Sequence, residues 1–97
     1  MNTIIIKNVT SGTLSNTEGA ILFCAIDFAL KSNIPVLLSF ESINTISSSF
    51  LNSSIGNIVD KYGFTILKDN LKITNYTKPI AATLVKYISD LKAYSKS

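Results

Sequence analysis

Three consecutive serines, Ser47-Ser48-Ser49, stand directly before an apolar run that starts at Phe50. Hydroxyls at such a place can cap a helix, or carry a phosphate beside its N-terminus. The free backbone N–H groups of a first helical turn favour an anion in either case. Capping alone and a regulated phosphosite both fit, because any three-serine helix start has this pattern. The other polar candidates carry less. Asp27 sits in an apolar stretch with no second carboxylate at matching spacing, so acid–base catalysis lacks its pair, and Asp27 reads as a solvated helix-face residue. Cys24 has no cation close in sequence and reads as a small core residue rather than a reactive thiol. Ser11-Gly12-Thr13 and Ile55-Gly56-Asn57 hold lone glycines and make no phosphate loop.

Absent residue types exclude more chemistry than the present ones supply. The 97 residues contain no histidine and one cysteine. That removes the Ser-His-Asp and Cys-His arrangements, imidazole metal sites, thiolate clusters and an intrachain disulfide. All nine basic residues are lysines, so no guanidinium can clamp a phosphate or a guanine. The net charge of +3 is slight, and the lysines are spread from 7 to 96. A nucleic-acid reader would show a denser basic stripe with interleaved aromatics. The expectation is a non-enzyme with no cofactor and no metal, for which nucleic acid is a disfavoured partner.

Composition describes a chain that folds. Apolar residues make up 46% and charged residues 15%, against an average near 25% charged. Ser, Thr and Asn fill the gap, so the polar surface is largely neutral. The length suits one domain over 1–97, with a short flexible tail at 95–97. Met1-Asn2-Thr3 lacks a basic leader, and the longest nearly apolar run, Gly19 to Leu30, contains Asp27. A membrane crossing needs about 20 apolar residues. The sequence therefore suggests a cytoplasmic protein away from membranes, and a lone cysteine suits a reducing compartment.

The elements that must position these residues follow from periodicity. Residues 3–9 are β-branched and read as a strand, with Ile4-Ile5-Ile6 suggesting burial on both faces. Ser15 followed by Glu18 is a capping-box pattern, opening a helix that runs to about Lys31. Residues 35–40 read as a second, central strand and 41–46 as a loop. Phe50, Leu51, Ile55, Ile58, Val59 and Tyr62 form the apolar face of a 48–62 helix that stops at Gly63. Residues 71–75 alternate as a third strand. A last helix over 79–94 has Ile80, Leu84, Ile88 and Leu91 as its inner stripe, with Val85 beside it. Residues 64–70 fit either a short helix or an edge strand. The order predicts an α/β fold: a mostly parallel or mixed sheet of about three to five strands with three main helices.

Val36-Leu37-Leu38-Ser39-Phe40-Glu41-Ser42-Ile43, then Ile46-Ser47-Ser48-Ser49-Phe50-Leu51-Asn52, then Ile73-Thr74-Asn75 resemble the STAS domain. That fold is shared by bacterial anti-sigma factor antagonists and sulfate-transporter tails. The chain is more similar still to the STAS-like family of small bacterial proteins of largely uncharacterised function. The likeness runs from about Gly19 to Leu91. The family's strand commonly has an Asp before the Phe, where this chain has Ser39. In antagonist domains the turn reads Asp-Ser-Ser-Gly, and a partner kinase phosphorylates its first Ser. Aligned on the turn, Ser47 takes the Asp position, Ser48 the phosphorylated Ser, Ser49 the second Ser and Phe50 the Gly. Phe50 suggests a helix start that packs.

The resemblance implies a regulatory protein–protein interaction module, in the manner of anti-sigma-antagonist partner switching. Its partner would be a histidine-kinase-like ATPase or kinase, docked on Ser47, Ser48, Ser49 and Phe50. The alternatives are a small inhibitor of phage or mobile-element origin, or a weak nucleic-acid binder. A second surface comes from the first long helix. Ile21, Leu22, Phe23 and Phe28 give it more apolar girth than one side of a small sheet covers, which suggests a partner or homo-oligomer interface. Tyr87 and Tyr94 share a helix face and fit either half-buried core or partner contact.

Overall fold

In the computed structural model, which describes residues 2–95, three parallel strands lie side by side in chain order. They are β1 (Asn2–Ile5), β2 (Val36–Ser39) and β3 (Leu71–Thr74). The register aligns Ile4, Leu38 and Ile73 across the sheet, with Asn2, Val36 and Leu71 two residues earlier. Side chains alternate between faces. Ile4, Val36, Leu38 and Leu71 are therefore buried on one face, while Thr3 and Lys72 on the other are exposed.

Helices fill the crossovers. α1 (Ile6–Val9) is a single turn, α2 (Asn16–Lys31) connects β1 to β2, and α6 (Lys78–Ser95) follows β3. Between β2 and β3 run α3 (Ser48–Leu51), a π-helical segment (Asn52–Gly56) and α4 (Asn57–Tyr62), continuous in backbone, then α5 (Thr65–Asp69). Right-handed crossovers that advance in one direction along a sheet put their helices on the same side. α2 and the 48–62 helix accordingly pack against each other and against the buried sheet face.

Local chemistry explains the helix ends. Ser15 and Glu18 form a complete capping box at the start of α2. At its end Asn33 has φ 59°, Asn33 N–H donates to Leu30 O (3.0 Å) and Ile34 N–H to Ala29 O (3.1 Å), a Schellman stop. Gly63, with φ 91°, ends α4 in a backbone region open to glycine. The π-helical turn coincides with two serines. Ser53 Oγ donates to Ser49 O (2.8 Å) and the buried Ser54 Oγ to Phe50 O (2.6 Å). These hydroxyls compete for carbonyls that backbone N–H groups would otherwise hold, which loosens the helix there.

Several expectations are corrected. The first strand stops at Ile5, and the chain turns into α1 at Ile6. Its isoleucines are not buried on both faces: Ile4 and Ile6 are core, whereas Ile5 lies on the uncovered side and is half-buried. Beyond the three long helical stretches there are two short helices, α1 and α5, the latter resolving residues 64–70 as helix. Val85, expected beside the inner stripe of α6, is 69% exposed. Of the expected tail, Ser95 belongs to α6, and Lys96 and Ser97 lie outside the described residues.

Candidate functional site

In a parallel sheet every strand leaves at the same edge, where the loops gather. The carboxyl ends of β1, β2 and β3 send out residues 10–15, 40–47 and 75–77. Two of these loops are laced together. Thr13 Oγ1 donates to Thr45 O (2.5 Å), Ser47 N–H to Thr13 O (3.1 Å) and Ser47 Oγ to Leu14 O (2.9 Å). Lys7 pairs with Glu41 at 2.8 Å across the same edge. Asn75 Nδ2 donates to Ser39 Oγ (2.9 Å), which ties the end of β3 to the end of β2. The serine turn is thus held by the loop that precedes α2.

The three serines have separate places. Ser47 is the N-cap of the 48–62 helix, and its Oγ accepts from Phe50 N–H at 3.0 Å. Ser48 and Ser49 are exposed, and their hydroxyls have no hydrogen-bond partner among the described residues. Ser48 borders a shallow cleft of about 170 Å³ shared with Leu51, Thr83, Lys86, Tyr87 and Asp90. An anion at Ser48 would lie at the helix N-terminus, in a cleft whose lining also includes the Lys86 ammonium, itself paired with Asp90 at 3.0 Å. Phe50 is completely buried. It anchors the turn to the core and is removed from the contact residues expected of this surface.

The interface residues expected on α2 also separate. Ile21 and Phe28 are exposed, Phe23 is half-buried against the core, and Leu22 is fully buried. Leu22 faces the core on the side that packs against the sheet, so it offers nothing to a partner. Cys24, expected in the core, is exposed on the same side as Ile21 and Phe28. Tyr87 is half-buried; its hydroxyl donates to Asn52 Oδ1 (2.7 Å), and burial raises its pKa. The Tyr94 side chain lies outside the described ones.

Asp27, expected to be solvated, is buried. Its carboxylate accepts from the Tyr62 hydroxyl, from Lys61 Nζ at 2.9 and 3.1 Å, and pairs with Lys31 Nζ at 3.3 Å. The Tyr62 hydrogen bond, then the Lys61 ammonium, hold its pKa at about 2. The same contact with Asp27 raises the pKa of Lys61 and of Tyr62. This network clips α2 to α4 at the end far from the serine turn. Near the turn, Gly19 provides the close approach: a Cβ there would lie 2.6 Å from Phe50 O and against Ser53 Oγ. Lys61 and Tyr62 are 34 and 35 residues from Asp27, and no local pattern announces their pairing with it.

Among the described residues no group of carboxylate and thiol side chains could hold a metal ion. No helix of the described residues is long and apolar enough to cross a membrane. Residues 18–81, about two thirds of the chain, match a family described as STAS-like domain of unknown function (DUF4325). No curated protein and no solved structure matches the chain.

Proposed function

The chain belongs to the family of STAS-like domains of unknown function, and from that premise we propose that it is a non-enzymatic protein-interaction module switched at Ser48. One observation carries the reading. Ser47 alone does the capping, which leaves the Ser48 hydroxyl exposed and, among the described residues, unpaired at a helix N-terminus, in the cleft that Lys86 also lines. A capping serine would be a poor switch, because modifying it would break the helix start. Ser48 can change charge while the cap stays in place. Phosphate there brings about −1.5 to −2 charges to a neutral docking surface. The similarity to antagonist domains supports a protein partner of the histidine-kinase-like ATPase class.

The neutral surface favours this reading over a nucleic-acid binder. Lys7 at this edge of the sheet and Lys86 beside the turn are each already paired with a carboxylate. The test compares Ser48→Ala with Ser48→Glu as bait in native lysate, read by quantitative mass spectrometry. Ser48→Ala should retain the partner that the parent chain captures. Ser48→Glu should lose it while keeping the parent's circular dichroism spectrum. Equal capture by all three would reduce the turn to a cap.

A further inference from the structure

The outward side of α2 is apolar at its centre and uncharged along most of its length. Ile21 is 45% exposed and Phe28 76%, with the exposed Cys24 between them and Thr17 and Ala20 completing the strip. At 3.6 residues per turn these positions share one side of α2, opposite Leu22, Ile26 and Ala29 in the core. We propose that this strip is a self-complementary interface, in which α2 pairs antiparallel with α2 of a second copy about a two-fold axis beside Cys24.

The spacing and the charges point to a second copy, and the area sets how tightly it binds. Ile21 lies three residues before Cys24 and Phe28 four after it. Antiparallel pairing sets each Ile21 against Phe28 of the other copy and puts the two small cysteines at the centre, where the helices can approach closely. Thr17, Ala20, Ile21, Cys24 and Phe28 carry no charge, so pairing desolvates none. Lys31 ends the strip and is 63% exposed. The antiparallel sense separates the two Lys31 ammoniums by roughly 20 Å, given the 1.5 Å rise per residue, well beyond a Debye length of about 8 Å. A parallel pair would set them face to face. The 16-residue α2 is about 24 Å long and about 10 Å across, which is less surface than the roughly 800 Å² per partner of a standard stable complex. Self-association is therefore weak and concentration-dependent.

Cys24, the single thiol in the chain, reports the pairing directly. The full chain is treated with a short thiol-bridging bismaleimide over a concentration series, with sedimentation velocity run alongside. The parent should yield a covalent dimer and move toward dimer mass at the highest concentrations. Phe28→Asp should lower the cross-linked yield by about tenfold or more, as for a charge placed on a central anchor, with an unchanged circular dichroism spectrum. Ile21→Asp is the second variant should Phe28→Asp fail to fold. Val85→Asp, on the equally exposed apolar site of α6, should cross-link like the parent. Equal yields from the parent and the strip variants overturn the proposal: high in both means association through another surface, low in both means a strip that does not self-pair. Equal loss in Val85→Asp overturns it too.

Discussion

At the scale of single residues, Asp27 is where electrostatics and packing meet. A carboxyl whose pKa is held at about 2, below its ordinary 3.8, favours the folded state whenever it is ionised. That contribution is complete above the ordinary value and is lost as the pH falls toward 2. Lys61 and Tyr62 have pKa values raised above 10.5 and 10.0, so their contribution is complete below about pH 10 and fades as the pH climbs through the folded values. Urea midpoints measured from pH 6 to pH 2 should show Asp27→Asn less stable than the parent at pH 6, with the gap closing by pH 2. A gap of constant size would assign the loss to packing instead. Gly19 poses a different contest. Alanine gains up to about 1 kcal/mol of helix propensity over glycine, yet its methyl would press on the Phe50 carbonyl, which is backbone and cannot swing away. Overpacking of this kind costs about 1–3 kcal/mol. Gly19→Ala should therefore destabilise, read as a lower denaturant midpoint at unchanged slope.

At the scale of elements, the ends of helices were readable because their signals are local. Ser15 and Glu18 are three apart and form the capping box the spacing predicts. Asn33 and Gly63 stop their helices at the expected places. What failed to read was whatever depended on a neighbour distant in sequence. Cys24 looked like core because its helix is apolar all round, but the 48–62 helix and the sheet cover only the other side. Asp27 looked solvated because Lys61 and Tyr62 are more than thirty residues away. Ile4-Ile5-Ile6 looked like a doubly covered strand, whereas the chain leaves the sheet at Ile6. The serine turn was legible as a turn, but its division of labour was not, since only geometry separates Ser47 from Ser48. That division is measurable. Ser47→Ala removes the N-cap and a bond to Leu14 O, and should cost about 0.5–2 kcal/mol. Ser48→Ala removes no hydrogen bond among the described residues and should stay within about 0.5 kcal/mol of the parent. Similar losses in chemical denaturation would return the cap to Ser48.

At the scale of the whole molecule, the strand order determines which surfaces remain open. Strands advancing in one direction place α2 and the 48–62 helix on the same side of the sheet, where the core gathers. The opposite face carries Thr3, Ile5, Leu37, Ser39, Lys72 and Thr74, a mixture that a doubly covered parallel sheet would not tolerate. Neighbouring leucines of β2 therefore live in different environments. Leu38 is completely buried and belongs to the core, whereas Leu37 is half-buried and stands apart from the core cluster. Leu38→Ala should cost about 2–5 kcal/mol, from lost burial and the cavity left behind. Leu37→Thr puts a β-branched side chain, which suits a strand, at a half-buried position and should cost about 1 kcal/mol or less. Equilibrium urea unfolding of the two variants against the parent measures the difference. Comparable large losses would mean that a further layer covers the second face in solution, and the two-layer architecture would have to be abandoned. A large loss at Leu38 alone would leave α2 and the serine-turn edge as the surfaces through which this domain meets other molecules.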